Sequence, residues 1–245
     1  MKKTKKIVAL FLAAVMLVCT TVAATVAFLY SKTEVVENTF TVGDVKIILN
    51  EQDADGSETN LVVYDNSENR DEANAYHLLP NTTHTKDPAV SVKQGSEESY
   101  IRAIATVKYR AAADDILNPV SNWLDLNANW IAGEPVTTRA TNNEGVEWIT
   151  RVYEFRYKET VNANVKDAEG NFVTPDGLTL VSVTKGDVTE AYYKMPALFT
   201  TITVSGNLTN DQVATLHGME INVEAHAIQA EGFADANAAW AAFTY

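Results

Sequence analysis

The sequence predicts an all-β protein, a single antiparallel jelly-roll or β-sandwich domain with a few short helices, behind a cleaved N-terminal signal peptide. Short runs of alternating apolar and polar residues have the period of half-buried strands. Gly, Asn, Asp or Pro occurs in most connections between these runs. About nine such strands in roughly 200 residues fit a sandwich or jelly roll better than alternating strand–helix units. The 46% of hydrophobic residues suffices for a core.

Two segments carry the alternation most clearly. From Tyr100 to Arg110 the apolar residues occupy the odd positions, and Ile104 is the one apolar residue on the polar side. Met219–Ala227 repeats this pattern, with Glu220, Asn222, Glu224 and His226 on the polar side. Each segment is therefore predicted to be a strand with one buried face.

The remaining strands are shorter. Between Thr39 and Asn50 the apolar residues change parity around Gly43–Asp44, which predicts a bulge. Further strands are predicted at Leu61–Tyr64, Ala89–Val92, Trp148–Tyr157, Leu178–Thr184, Ala191–Met195 and Thr200–Ser205.

Four segments are predicted to be helical. Thr209–His217 carries the clearest signal, because Thr209 and Gln212 have the spacing of a capping box and Gly218 can terminate the helix. The other three are Ala112–Leu117, Asn122–Leu126 and Ala234–Phe243.

The N-terminus has the pattern of a secretory signal. Four lysines precede a long uncharged run, and small residues end it, so we predict cleavage between Ala27 and Phe28. A retained membrane anchor is the alternative, since 7–30 is about the 20 residues that a bilayer span needs. The chain divides into a signal peptide (1–27), a mature N-terminal segment (28–38) and a jelly-roll domain (39–245).

The charge balance excludes a nucleic-acid partner. Nineteen basic and 32 acidic residues give a net charge of −13, and loss of residues 1–27 changes it to −17. Cys19 is the only cysteine, so the mature chain has neither a disulfide nor a thiol nucleophile. An exported chain without disulfides fits the surface of a bacterium.

No motif assigns catalytic or metal-binding residues. His77, His84, His217 and His226 lack the spacing of paired metal ligands and are predicted to be ordinary polar-surface residues, and the chain has no HExxH segment. A G-x-S-x-G elbow and a phosphate-binding glycine loop are also missing. The sequence therefore predicts a protein that is not an enzyme and uses no cofactor.

Two acidic loops raise the alternative of a calcium site. Asp53-Ala54-Asp55-Gly56 opens like a calcium-binding loop, but the twelfth position, where an acidic ligand should close it, is Tyr64. Asp167–Asn171 is predicted to be a hairpin turn.

Both ends of the chain resemble a known family. FLYSKTEVVENTFTVGDVKI, directly after the signal segment, resembles the mature N-termini of the TasA and camelysin (CalY) family, whose signals are removed by a SipW-type signal peptidase. INVEAHAIQAEGFADANAAW, from Ile221 to Trp240, is similar to the C-terminal signature of the clostridial branch of that family, and Pro196–Phe199 is similar to an element between the two.

The resemblance implies a secreted structural protein of Gram-positive bacteria, a fibre subunit of the biofilm matrix whose partner is another copy of itself. In such fibres the mature N-terminal segment is donated as a strand to the next subunit, and an accessory matrix or anchoring protein is a further possible partner. The matching segment is 28–38, with the candidate donor residues Phe28, Leu29, Tyr30, Val35 and Val36. It lacks Pro and Gly, so it can add to a sheet edge, although a frayed tail is the alternative.

Two other functions stay open. Camelysin-like members of the family are classed as metal-dependent peptidases, which makes a cell-surface metallopeptidase one alternative. A monomeric surface adhesin or binding module is the other, with Trp123, Trp130 and Tyr192–Tyr193 as ligand contacts unless they are core residues. For fibres, the charge of −17 predicts easier assembly at low pH or high salt.

Overall fold

The computed structural model describes residues 30–33, 37–38, 45–56, 62–65 and 68–243. Antiparallel strands dominate them and the helices are short, which confirms the all-β prediction. The strands are β1 (Tyr30–Thr33), β2 (Glu37–Asn38), β3 (Ile47–Gln52), β4 (Val62–Tyr64), β5 (Asn69–Asp71), β6 (Thr82–Thr85), β7 (Ala89–Lys93), β8 (Ser99–Arg110), β9 (Trp130–Ala132), β10 (Val136–Thr141), β11 (Glu147–Tyr157), β12 (Thr179–Lys185), β13 (Val188–Lys194), β14 (Thr201–Val204) and β15 (Glu220–Gln229).

Three short α-helices interrupt the strands: α1 (Asp114–Leu117), α2 (Asn210–Ala214) and α3 (Ala236–Ala242). Two 3₁₀ turns, Ala111–Ala113 and Val120–Asn122, flank α1. Among the described residues no helix combines the length and the apolar character that a membrane span requires.

The larger of the two main strand assemblies is an open antiparallel sheet. Its strand order is β10-β11-β8-β15-β1-β2, and β9 pairs with β11 beside β10. The long strands β8 and β15 lie at its centre, paired from Ser99↔Gln229 to Lys108↔Glu220. At one end β10 is exposed along its whole length, and at the other end lie β1 and β2.

The second assembly is a small closed barrel. Its strands follow the order β12-β13-β7-β3-β5-β4, and β4 pairs back onto β12 through Tyr64↔Val183 and Val63↔Thr184. Strands β6 and β14 form a separate two-stranded sheet.

The main core lies between the inner face of the large sheet and the barrel wall. The odd-numbered residues of β8 and β15 face it, and Ala103 pairs with Ala225 at its centre. The barrel contributes Ile47, Val92 and Tyr193. The alternation predicted for both long strands is therefore confirmed, and Ile104 lies half-buried on the opposite face.

Arg70 is a completely buried charged residue inside the barrel. The Arg70 guanidinium donates to Asn50 Oδ1 (2.6 Å), to Asp87 Oδ2 (2.9 Å) and to two backbone carbonyls, and it also contacts Glu68. The Tyr64 hydroxyl donates to the same Asn50 oxygen. Burial alone would lower the pKa of Arg70, but the charge and hydrogen bond of Asp87 outweigh it and raise the pKa, so this arginine stays charged.

The helix predictions are confirmed at three places and wrong at one. Thr209 and Gln212 form the predicted capping box, α3 lies within 234–243, and α1 with its preceding 3₁₀ turn covers 111–117. The segment 122–126 is not helical, because the 3₁₀ turn ends at Asn122 and Leu124 forms a β-bridge with Ile202. The predicted bulge at Gly43–Asp44 lies outside the described residues.

Candidate functional site

The edge of the large sheet that holds β1 is the candidate functional site. Strand β1 pairs antiparallel with β15, from Tyr30 opposite Ile228 to Thr33 opposite Ala225. Part of the predicted donor segment is thus a strand at a sheet edge. Of the predicted residues, Tyr30 lies in β1; the cleavage site Ala27–Phe28 and the donor residues Leu29, Val35 and Val36 lie outside the described residues.

Strand β15 is longer than its partner at this edge. It pairs with β8 over ten residues but with β1 over four. Strand β2 in turn pairs antiparallel with β1, through Thr33↔Glu37 and Lys32↔Asn38. Within the described part of the chain, no strand pairs with this side of Glu220–Glu224.

A cavity of about 580 Å³ borders residues 220–223 of β15. These residues form one wall, and the others come from β3, the segments 71–78 and 86–88, Ile202 of β14 and the end of α2. The large apolar side chains in the lining include Leu49, Leu78, Ile202, Leu216, Met219, Ile221 and Val223. A strand edge that no described strand covers, beside an apolar cavity, has the features of a site for an extended peptide, whose backbone pairs while alternate side chains enter the cavity.

The polar side of the cavity centres on a buried ion pair. Lys86 Nζ donates to both Glu51 carboxylate oxygens (2.7 and 3.0 Å) and lies 5.2 Å from the centre of the Tyr76 ring. The Tyr76 hydroxyl is buried and has no hydrogen-bond partner among the described residues. Burial raises the pKa of Tyr76, and the charges of Glu51, Asp87 and Asp55 add to this, so the phenol stays protonated.

The four histidines were predicted to be ordinary polar-surface residues, and this prediction is wrong for His226, which is buried. His77 and His217 line the cavity, His84 is on β6, and His226 is buried on the outer face of β15. Among the described residues, the carboxylates and imidazoles that come close enough to share a metal ion are Asp53, Asp55 and Asp71.

That acidic group joins the first predicted acidic loop to a residue that the sequence did not single out, Asp71. Each carboxylate already accepts a backbone N–H, from Gly56 to Asp53, from Ala75 to Asp55 and from Glu72 to Asp71. The second loop is the predicted hairpin turn: Asp167 accepts from the backbone of Glu169 and Asn171, and these hydrogen bonds lower the pKa of Asp167.

The four aromatic residues considered as ligand contacts are core residues. Trp123, Trp130, Tyr192 and Tyr193 are all buried, and the Trp123 and Trp130 indole N–H groups donate to the backbone carbonyls of Leu117 and Pro196.

The cavity could not be predicted from the sequence, because its lining residues come from five separate segments of the chain. Comparison with known proteins adds no relative: no family model, no curated protein and no solved structure matches this chain.

Proposed function

We propose that this protein is a secreted structural subunit that assembles head to tail into fibres of a bacterial extracellular matrix. In this proposal the mature N-terminal segment of one copy replaces β1 of the next copy and pairs along β15. The observation that carries it is the partial pairing of β15, whose ten residues face a strand of four at the open edge.

The register of β1 indicates how a donated strand fits. If the pairing of Thr33 with Ala225 continues without a turn, Val35 lies opposite Val223 and Val36 opposite Asn222. Directly opposed residues in an antiparallel pair project from the same face. Val223 is buried and lines the cavity, whereas Asn222 is exposed. A straight donated strand thus brings Val35 to the apolar side.

Strand exchange between copies would also produce an open-ended assembly. A strand given to one neighbour and an edge offered to another form a heterologous contact, and such a contact produces a filament unless its rotation closes a ring. Before processing, the same segment is joined to residues 1–27. Cleavage by a SipW-type peptidase would release it, which makes processing the start of assembly.

Cysteine cross-linking tests the exchange directly, because the chain from Phe28 onward has no cysteine. Ser31 lies opposite Ala227 in the observed register. We expect the single variants Ser31→Cys and Ala227→Cys, mixed under assembly conditions and oxidised, to form heterodimers that a non-reducing gel resolves. A matched mixture of Ser31→Cys with Asn222→Cys should cross-link far less, because Asn222 lies on β15 five residues before Ala227.

Two results would contradict the exchange. One is equal cross-linking in both mixtures, which would indicate random collision. The other is that the double variant Ser31→Cys/Ala227→Cys closes within one chain under every condition while the mixture of single variants stays monomeric.

The two neighbouring valines provide a second test. We expect Val35→Ser to reduce filament yield by about tenfold, because a buried valine side chain contributes roughly 1.5 kcal/mol to a contact. Val36→Ser, the matched control, should assemble like the unchanged chain because its position faces solvent in the extended register. Filament mass from sedimentation measures both, and a larger effect of Val36→Ser would exclude this register.

A further inference from the structure

The outer face of β15 carries a buried charged cluster under the C-terminal helix. His226 is fully buried, and Arg102 on the neighbouring β8 is nearly so. Arg102 Nε donates to His226 Nδ1 at 3.1 Å, and His226 Nε2 lies 2.6 Å from Glu224 Oε1. A guanidinium has no acceptor, so Nδ1 must accept and Nε2 must carry the proton. The geometry therefore assigns the neutral, Nε2-protonated imidazole to His226.

Helix α3 is held over this cluster mainly by aromatic contacts. The Arg102 guanidinium carbon lies 4.4 Å from the centre of the Trp240 ring and 4.6 Å from that of Phe243, and the Phe243 ring stacks on His226 at 5.1 Å. The buried Trp240 indole N–H finds no hydrogen-bond acceptor among the described residues. Among the described residues, Arg156 donates to Asn237 of the helix (2.6 Å). Arg102 thus carries the cation–π contacts of α3, beside the apolar cluster that Ala239 and Trp240 form with Ile228.

We propose that His226 is a proton-operated latch: a proton on its Nδ1 expels Arg102, releases α3 from the sheet and loosens the edge where β1 pairs. A protonated Nδ1 would place an N–H donor and a positive charge against the Arg102 N–H at about 3 Å. Strand β1 pairs with Ala225–Ile228, so His226 lies in the middle of that contact. The effect on strand exchange rests on the proposed function; the release of α3 does not.

Charged groups on both sides of the ring act on His226. Glu224 attracts an imidazolium but already accepts the proton on Nε2, so it gains no new hydrogen bond, whereas Arg102 loses its acceptor and meets a second donor. Helix α3 presents no charged side chain to the ring. Among the described residues, the other charged or titratable groups nearby are Glu154, which accepts from Arg102, Arg156, which contacts Glu154, Tyr100 on β8, and Lys32, which is opposite His226 in the backbone register.

The direction of the pH effect follows from proton counts. With α3 docked His226 is neutral, and with α3 released it can bind one more proton. The docked state therefore loses stability as the pH falls, by up to about tenfold in its equilibrium constant per pH unit for a single linked proton. The released state takes up this proton near the ordinary histidine pKa of about 6.5, so the docked state begins to lose stability as the pH falls through that value.

Hydrogen exchange of the chain from Phe28 onward, which keeps every described residue, tests the latch. Corrected for intrinsic rates, protection of 236–242 should fall by up to about tenfold per pH unit below about pH 6.5. In His226→Gln, whose side chain does not titrate, protection should stay constant. His84→Gln, a histidine variant away from α3, should respond like the unchanged chain. A pH-independent helix in the unchanged chain, or the same response in His226→Gln, would overturn the proposal.

If His226→Gln fails to dock α3 even at neutral pH, imidazole ¹⁵N spectra of the unchanged chain decide. They should show the Nε2-protonated tautomer at neutral pH and a titration that coincides with loss of protection in α3. An Nδ1-protonated tautomer, or titration with α3 still protected, would refute the latch.

The Ser31→Cys and Ala227→Cys mixture separates this proposal from the fibre proposal. Acid release of α3 without cross-links at any pH would support the latch and count against the fibre. If cross-links form equally at acidic pH in chains with and without His226→Gln, the fibre proposal is supported, but His226 does not control strand exchange.

Discussion

Replacing Arg70 with methionine should lower the free energy of unfolding by about 3 kcal/mol or more, because it leaves the buried partners of the guanidinium uncompensated. Asp87 Oδ2 and two backbone carbonyls would lose the guanidinium as a donor, and Asn50 Oδ1 would keep the Tyr64 hydroxyl but lose the Arg70 Nε–H. Methionine restores part of the volume but none of these hydrogen bonds. Urea denaturation at neutral pH measures the loss, and the melting temperature should fall by about 6–12 °C.

Arg139→Met on β10 is the matched control, since Arg139 contacts two carboxylates but is half-exposed. Exposed ion pairs contribute about 0–1 kcal/mol, so this variant should unfold almost like the unchanged chain. If Arg70→Met and Arg139→Met lower the free energy of unfolding equally, the barrel tolerates the loss of its buried donor. If Arg70→Met lowers it less than Arg139→Met does, the stabilising role of the Arg70 hydrogen bonds is contradicted.

Removing residues 28–38 should abolish filaments altogether. Negative-stain microscopy should show filaments of the chain that starts at Phe28, most abundantly at acidic pH or high salt, and none of the chain that starts at Thr39. The deletion takes away β1, the strand that pairs with Ala225–Ile228, while the core begins at Val45. It removes one basic and two acidic residues, so a change in charge repulsion cannot account for the difference.

A synthetic peptide of residues 28–38 provides the control for this experiment. Added in excess, it should bind the shortened chain without producing filaments. The bound peptide occupies the β15 edge, but it has no domain whose own edge could receive a strand from a further copy. Filaments of the shortened chain would contradict strand donation. If both chains stay monomeric under every condition, the monomeric binding module becomes the better proposal.

The sequence was informative wherever one side of a strand is buried and the other is not. Strands β8 and β15 were predicted to within two residues at each end, because their inner and outer faces differ in polarity at nearly every position. The N-terminal cap of α2 could be predicted equally well, because a capping box depends on two residues three positions apart.

The missed strands lack that contrast. Strand β10 is exposed on both faces, so its residues do not alternate. Strand β5, Asn69-Arg70-Asp71, is buried but contains no apolar residue, because its arginine is satisfied by the barrel interior. The latch was missed for a related reason: His226 was predicted to be a polar surface residue, and its burial depends on Trp240 and Phe243, which only the tertiary fold brings over it.

Closure of the small barrel has a consequence for the material that such subunits would form. A ring of strands has no terminal strand, so it offers no place for another chain to add by backbone pairing. The large sheet has two ends, β10 and the N-terminal strands. A subunit that gives one strand and receives one at the β15 edge has two neighbours and forms an unbranched thread, whereas pairing at a further edge would create a junction. A matrix of such threads would flow and entangle, and its elasticity would depend on thread length and on other components rather than on permanent cross-links.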